Sequence, residues 1–298
     1  MARKKRILVT GASGMLGTAL LLDYSNKYDC FALDKAVGSN IHGVSWITCD
    51  LTHELRAREA VEQANPDVIV HCAALVNVDA CENNVNGAYA LHVSATKTLA
   101  DECRQRGIQI IYISTDSVFN GRKIGAYTED DLPDPLNVYA RTKLEGESVI
   151  LGMDKGLVLR TNIFGWTRHG RSFAEWIING LRNQNKIKMF TDVLFSPVST
   201  YCFSEVVERC IEAGLNGLYH AAGRDILSKH EFALRAASIY GLPTDCIIPV
   251  KLSDAHLAAP RPNNMALNSS KLSRKLGINM PDIQISISMW KKFELCKV

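Results

Sequence analysis

Tyr139, Lys143 and Thr115 are the residues of this chain whose types and spacing best fit catalysis. Residues four apart on a helix share a face, with Cβ atoms roughly 5–6 Å apart, so Tyr139 and Lys143 would place a phenol beside an ammonium. A neighbouring positive charge favours phenolate, so we predict that Lys143 lowers the pKa of Tyr139 from its usual value of about 10 and makes it a general acid. The Thr115 hydroxyl would hold a carbonyl oxygen. The spacing alone is not specific, and a core tyrosine with a satisfied hydroxyl is the alternative.

The elements around these residues decide between the two interpretations. Residues 108–113 form an apolar run that predicts a strand, which places Ser114, Thr115 and Asp116 at its carboxyl end. A helix is predicted from near Tyr139 to about Ile150. Further strands are predicted at 7–10, 30–33, 44–49, 67–72, 156–160 and 217–221, and helices at 18–24, 53–64, 85–106, 202–215 and 229–240. This alternation predicts an α/β fold with a doubly wound parallel sheet, in which the ligand site lies at the carboxyl edge.

Three glycines, Gly11, Gly14 and Gly17, lie between the first predicted strand and the first predicted helix. In this context small residues let the backbone approach a pyrophosphate at the helix N-terminus, which favours anions. The pattern predicts dinucleotide binding, and a plain tight turn is the alternative. Asp34 ends the second strand and is placed to accept hydrogen bonds from the adenosine ribose, or else is a solvated turn residue. A carboxylate there favours NAD, whereas Lys35 beside it offsets that preference, so both NADH and NADPH stay open.

Two more pairs of residues follow predicted strands at the same edge of the sheet. Asp50 and Leu51 follow the third strand, where ligands of open parallel sheets gather. Ala73 and Ala74 follow the fourth strand and leave room for a cofactor, although close packing explains small residues equally well.

Composition and length limit the class of protein. The 298 residues, 47% hydrophobic and 22% charged, predict a dinucleotide-binding domain over 1–165 and a smaller substrate lobe over 166–298, with the strand near 217–221 returning to the main sheet. A net charge of +3 and the short basic run at 3–6 give no reason to expect a nucleic-acid partner. No apolar run is long enough to span a membrane, and the start of the chain has no secretory pattern, so we expect a cytoplasmic protein. The nine cysteines are scattered without a Cys-x-x-Cys pair, which predicts reduced thiols and no metal site.

Four segments of the chain resemble one family. GASGMLG at 11–17, STDSVFNG at 114–121, PLNVYARTKLEGE at 135–147 and RPNNMAL at 261–267 are similar to the dTDP-4-dehydrorhamnose reductases, which are extended short-chain dehydrogenase/reductases. The likeness runs from the first strand to about residue 276. The block from 114 to 147 is much more specific than the glycine pattern.

The resemblance implies an NADPH- or NADH-dependent reduction of the C4 ketone of a 6-deoxy-4-keto nucleotide sugar. In that scheme Tyr139 protonates the resulting oxygen, Lys143 holds the nicotinamide ribose, and Thr115 hydrogen-bonds the ketone. The product would be a deoxysugar nucleotide such as dTDP-L-rhamnose for a surface polysaccharide, and a homodimer is left open. The resemblance assigns cofactor contacts to Gly11, Ser13, Gly14, Met15, Leu16, Gly17, Asp34, Lys35, Asp50, Leu51, Cys72, Ala73, Ala74, Tyr139 and Lys143, and substrate contacts to Val76, Asp116, Ser117, Asn162 and Arg261.

The chain departs from the family pattern at two positions. Ser117 stands where the family often carries tyrosine, so a ring that would contact the sugar is missing. His92 stands where the family often carries asparagine, either as a satisfied helix histidine or at a proton-relay position. Arg261 would bind the substrate diphosphate through its planar fork, or else anchor the lobe.

These departures leave two other functions open. One is a reductase or epimerase of another nucleotide sugar, such as a UDP-linked sugar. The other is a non-catalytic regulatory subunit, because the β subunit of methionine adenosyltransferase resembles the same family.

Overall fold

Short β-branched runs alternate with amphipathic helices in the computed structural model, which describes residues 3–168, 170, 172–254 and 260–296. The strands are β1 Arg6–Thr10, β2 Asp29–Asp34, β3 Val44–Thr48, β4 Val68–His71, β5 Gln109–Thr115, β6 Gly156–Thr161, β7 Ile163–Phe164, β8 Ile187–Phe190, β9 Leu194–Phe195, β10 Val198–Ser199, β11 Gly217–His220, β12 Leu227–Ser228, β13 Ile247–Val250 and β14 Asn264–Met265. The α-helices are α1 Met15–Tyr24, α2 Glu54–Ala64, α3 Val78–Asn83, α4 Val85–Tyr89, α5 Ala95–Arg106, α6 Val138–Leu151, α7 Phe173–Arg182, α8 Thr200–Glu212, α9 Lys229–Tyr240, α10 Ser270–Leu276 and α11 Ile283–Lys292.

Seven parallel strands form the main sheet in the order β11-β6-β5-β4-β1-β2-β3. The order reverses beside β1, so the carboxyl ends of β1 and β4 flank the crevice where ligands of such sheets bind. Strands β4 and β6 are buried along their whole length, which explains the apolar runs 68–70 and 157–159 within them. The predicted doubly wound α/β fold is confirmed.

The two faces of the sheet carry separate apolar cores. Because side chains alternate along a strand, Ile7 and Val9 pack on one face and Leu8 on the other. The first face is covered by α1 and α8, with Phe203 buried in that core. A third core, around Phe232 and Trp290, lies within the C-terminal part of the chain.

The C-terminal part also contributes to the main sheet. Strand β11 pairs with β6 from Gly217 opposite Leu157 to His220 opposite Arg160, where the sequence predicts a returning strand. Helix α8 packs against α1. The functional division at residue 165 stays a prediction.

Several element ends differ from the predicted ones. Strand β5 continues through Thr115 instead of ending at Ile113, because it pairs with β6 as far as Thr161. The long helix predicted over 85–106 is present but contains a π-helical segment, Ala90–Ser94, between α4 and α5. Among the described residues, none of the helices has both the length and the apolar character needed to cross a bilayer.

Candidate active site

Helix α6 carries two of the three predicted catalytic side chains and begins at a well-defined cap. The side chain of Asn137 accepts a hydrogen bond from the Ala140 amide at 2.9 Å, and the Val138 amide donates to Glu82 at 2.7 Å. These contacts satisfy donors that a helix start leaves unpaired. They place Tyr139 in the first turn and Lys143 one turn later, where α6 packs against β5.

Lys143 is buried against β5, with 2% of its surface exposed. Its Nζ donates to the carbonyl oxygen of Ile113 at 2.7 Å and lies 3.8 Å from the centroid of the Tyr112 ring. Burial lowers the pKa of Lys143 to about 7, although the charges of Glu147 and Cys72 act in the opposite direction. The side chain is therefore close to its titration point at neutral pH.

Tyr139 is partly buried, and the Thr115 hydroxyl lies within hydrogen-bonding reach of its phenol. Burial raises the pKa of Tyr139 to about 12; the Thr115 hydrogen bond lowers it, and the charge of Asp116 raises it further. The prediction that Lys143 lowers the pKa of Tyr139 is wrong, since that pKa is raised and Lys143 is not among the groups that shift it. The reason is that the ammonium is directed at Ile113 and Tyr112 and is not beside the phenol.

Four polar residues meet at the ends of β5 and β6, next to Tyr139. Asp116, 2% exposed, accepts hydrogen bonds from Thr115 Oγ1 at 3.1 Å and Ser117 Oγ at 3.3 Å through Oδ1, and from Asn162 Nδ2 at 2.5 Å through Oδ2. Burial raises the pKa of Asp116, and its hydrogen bonds oppose that shift. The structure therefore brings the predicted substrate-binding residues Asp116, Ser117 and Asn162 together with Thr115.

Behind this cluster lies a buried ion pair that supports it. Arg160 donates to both carboxylate oxygens of Glu147, at 2.7 to 3.1 Å, and Ser114 Oγ donates to Glu147 Oε1 at 2.5 Å. The pair connects α6 to β5 and β6. It fixes the helix that carries Tyr139 relative to the strands that carry Thr115 and Asn162.

The glycine turn between β1 and α1 is packed too closely for side chains. A Cβ on Gly11, whose φ is +64°, would lie 2.7 Å from the Ala73 backbone, and one on Gly17 would lie 2.4 Å from the Gly11 carbonyl oxygen. Gly14 is the exposed N-cap of α1 and contributes no side-chain cap. Amides at such a helix start suit a phosphate group.

Asp34 reaches back from β2 to the glycine turn. Its Oδ2 accepts hydrogen bonds from the Ser13 amide at 2.9 Å and from Ser13 Oγ at 2.7 Å, and its Oδ1 accepts from the Lys35 amide at 2.7 Å. Lys35 Nζ pairs with Asp50 at 3.0 Å. Burial of Asp50 favours a higher pKa, but hydrogen bonds from Thr52 and Lys35 outweigh it and lower the pKa to about 2.

The remaining predicted cofactor residues divide between the crevice and the core. Cys72, Ala73 and Ala74 follow β4 beside the glycine turn and are partly exposed, and so is Met15. Leu16 and Leu51 are buried in the two apolar cores of the main sheet. Val76 is exposed on the loop after Ala74.

Arg261 forms an ion pair with Asp79 of α3 at 3.1 Å, and the neighbouring Pro260 carbonyl accepts from Asn137. These contacts fit the interpretation that the segment anchors the lobe. A contact between Arg261 and the substrate diphosphate stays a prediction.

Sequence reasoning did not find Lys229 and underestimated His92. Lys229 is the first residue of α9, and its charge acts on Asp116, yet no motif marks it. His92 lies in the π-helical segment and contacts the helix that carries Tyr139. The described residues hold no group of three or more His, Cys, Asp or Glu side chains that would bind a metal ion.

Comparison with known proteins gives the family. The model of the RmlD substrate binding domain matches residues 5–292. The chain belongs to this RmlD family. Its resemblance to the dTDP-4-dehydrorhamnose reductases is thereby confirmed.

Relatives of this RmlD-family chain carry different names. Methionine adenosyltransferase 2 subunit beta of Danio rerio is 34% identical over 281 residues, which cover 90% of this chain and 84% of the relative. The dTDP-4-dehydrorhamnose reductase of Aggregatibacter actinomycetemcomitans is 30% identical over 295 residues, covering 94% and 96%. The crystal structure of dTDP-4-dehydrorhamnose reductase from Bacillus anthracis in complex with NADP superposes with a TM-score of 0.86 at 25% identity, covering 97% and 99%.

Proposed function

We propose that this protein is an NAD(P)H-dependent reductase of a 4-keto-6-deoxy nucleotide sugar, most similar in function to dTDP-4-dehydrorhamnose reductase. The observation that carries the proposal is that the Tyr139 phenol and the Thr115 hydroxyl lie within hydrogen-bonding reach of each other. The buried Lys143 is on the same helix as Tyr139, and all three residues lie at the same edge of the sheet as the glycine turn. The reductase relative of A. actinomycetemcomitans supports it. We also propose a cytoplasmic location, a role in surface polysaccharide synthesis, and a homodimer.

The crevice fits a dinucleotide. The glycine turn lets the backbone and the open start of α1 hold a pyrophosphate. Asp34 is proposed to hold the adenosine ribose, with Lys35 and Asp50 beside it. When bound, the dihydronicotinamide supplies a hydride to the C4 ketone carbon of the sugar.

The proposed work of the chain is to supply a proton to the ketone oxygen. Because the pKa of Tyr139 is about 12, its phenol carries its proton at neutral pH and can donate it as the oxygen gains charge. The Thr115 hydroxyl donates its single proton to Asp116 Oδ1 in this structure, and it is proposed to turn toward the ketone oxygen when the sugar binds. Lys143 is proposed to hold the nicotinamide ribose. A donor that acts on charge developed in the transition state accounts for roughly 10²–10³ in rate.

The sugar is proposed to lie against the polar cluster next to Tyr139. Asp116, Ser117 and Asn162 form the base of this cluster, and Val76, which is exposed on the loop after β4, is proposed to contact the sugar as well. Ser117 leaves more room than a tyrosine would. The nucleotide part of the substrate is proposed to extend toward Arg261.

A second candidate function is a regulatory subunit without turnover. It is favoured by the relatives named methionine adenosyltransferase 2 subunit beta, among which the Danio rerio protein is 34% identical to this chain. In that case the crevice would bind a dinucleotide, and the protein would act through a partner chain.

The test is oxidation of NADH and of NADPH by the purified chain with a panel of keto-sugar nucleotides. Turnover of the dTDP-linked 4-keto-6-deoxy sugar above UDP-linked sugars supports the proposal. Turnover of a UDP sugar alone would reassign the nucleotide. Dinucleotide binding by calorimetry without any oxidation would favour the regulatory function.

A further inference from the structure

Glu147 and Arg160 form an ion pair that is almost completely removed from water, with 1% and 3% of their surfaces exposed. Arg160 donates to the carboxylate from two nitrogen atoms: Nε lies 3.0 Å from Oε1, and Nη2 lies 2.7 Å from Oε2. Ser114 Oγ adds a further donor to Oε1. A planar guanidinium that binds a carboxylate at two points fixes the direction of the contact as well as its length. The two side chains are therefore held in one relative orientation.

Each member of this network is close in sequence to a residue of the candidate site. The carboxylate belongs to α6, the helix that carries Tyr139. Its serine partner directly precedes Thr115 on β5, and its arginine partner on β6 lies two residues before Asn162. The network therefore joins the three elements that bear the proposed proton donor, the hydroxyl proposed to bind the ketone, and an amide proposed to bind the sugar.

An ion pair in this place contributes geometry more than stability. Removing two charges from water costs free energy that their attraction often fails to exceed, so apolar side chains of similar volume stabilise a core as well or better. Apolar contacts, however, are non-directional. The bonds between Glu147 and Arg160 instead fix the position of α6 along β5 and β6, which it packs against.

We propose that Glu147 and Arg160 are positioning residues for proton transfer, which act by setting the place of the Tyr139 phenol relative to Thr115. This inference rests on the proposed function and adds to it two residues behind the site. A displacement of about 1 Å, caused by a substitution away from the reacting atoms, can cost on the order of 10² in rate. Loss of the pair should therefore lower the rate of the chemical step, while the residues of the glycine turn still bind the cofactor.

The test removes both charges at once, in the double variant Glu147→Leu with Arg160→Met. Removing one partner alone would leave the other charge buried and unpaired, whereas removing both leaves an apolar core of similar volume. The expected result is a kcat for reduction of the keto-sugar nucleotide that is roughly 10- to 100-fold lower than in wild type. The KM for the sugar nucleotide and the Kd for NADPH, measured by calorimetry, should be unchanged. Thermal unfolding followed by circular dichroism shows whether the variant is folded.

The matched control is the double variant Arg58→Met with Glu102→Leu. This ion pair, at 2.6 Å, joins α2 to α5, and neither helix carries a residue of the candidate site. Its removal should leave kcat as in wild type. Arg160→Lys is the conservative variant: an ammonium binds the carboxylate as a single point charge, so kcat should lie between those of wild type and the double variant.

A folded double variant of Glu147 and Arg160 that keeps the kcat of wild type would overturn the inference, because the pair would then contribute packing alone. An equal loss of kcat in the control would overturn it as well. If the double variant does not fold, Arg160→Lys decides: a lower kcat with an unchanged Kd for NADPH supports the inference, and an unchanged kcat contradicts it. Absence of turnover by the wild type would overturn the proposed function, and this inference with it.

Discussion

Burial determines the protonation states of the two side chains that α6 presents. It raises the pKa of Tyr139 to about 12 and lowers that of Lys143 to about 7. Tyr139 is thus kept as a proton donor at neutral pH. Lys143 loses its charge as the pH rises above neutrality, unless a neighbouring group stabilises the ammonium.

The lowered pKa of Lys143 makes stability depend on pH. Between pH 7 and about 10.4 the unfolded chain binds a proton at this residue that the folded chain has released, so the free energy of unfolding rises with pH in this window. Methionine removes the cost of burying the ammonium, a cost that the wild type bears at pH 6 but not at pH 10. We therefore expect the unfolding temperature of Lys143→Met minus that of wild type to be larger at pH 6 than at pH 10. Thermal unfolding followed by circular dichroism at both values measures this. A difference that is independent of pH would contradict the assigned burial effect.

The sequence predicts that one helix carries Tyr139 and Lys143 and that Thr115 lies at the end of a neighbouring strand, because spacing on a helix and strand order depend on local patterns. It does not predict the direction of the Tyr139 pKa shift, which depends on how deeply the phenol is buried and where Lys143 Nζ points. Lys229 was missed for a similar reason. Its proximity to Asp116 arises from packing between distant segments.

The π-helical segment between α4 and α5 joins two elements of the site through His92. The Leu75 amide donates to His92 Nε2 at 2.8 Å, so the neutral ring carries its proton on Nδ1 and donates to Thr142 Oγ1 at 2.7 Å. Burial lowers the pKa of His92 to about 3, and the charge of Lys143 adds to the shift. The loop after β4 is thereby tied to α6, which agrees with a satisfied helix histidine.

We expect His92→Leu to lower the free energy of unfolding by about 1–3 kcal/mol, because it leaves the Leu75 amide without its acceptor. His92→Asn should lose less, since an amide oxygen can accept in its place. Urea unfolding measures both variants against His42→Leu, a change at an exposed histidine. A loss in His92→Leu no larger than that in the control would show that the bridge does not stabilise the fold.

The main sheet is completed by residues from both halves of the chain. Strand β11 forms its edge, and α8 covers the face that also holds α1. The sequence predicts the element order and the returning strand, since both follow from apolar periodicity. It does not predict the two-residue strands β7, β9, β10, β12 and β14, which are too short to show a period.

This sharing predicts that residues 1–165 do not fold alone, although we propose that they hold the dinucleotide. Without α8 the side chains of Leu20 and Leu21 in the first core would lose the cover that Phe203 and its neighbours give. We expect the fragment to melt without a cooperative transition when followed by circular dichroism. A sharp transition like that of the full chain would show that the N-terminal part is an independent folding unit.

The most direct test of the proposed catalysis is single-turnover oxidation of NADPH, with the dTDP-linked 4-keto-6-deoxy sugar, by wild type and Tyr139→Phe. Phenylalanine keeps the ring that packs near His92 and removes only the proton donor. The expected result is a rate about 10²–10⁴-fold lower in the variant, with unchanged NADPH binding by calorimetry. Equal rates in the two proteins, or no oxidation by a wild type that binds NADPH, would contradict it.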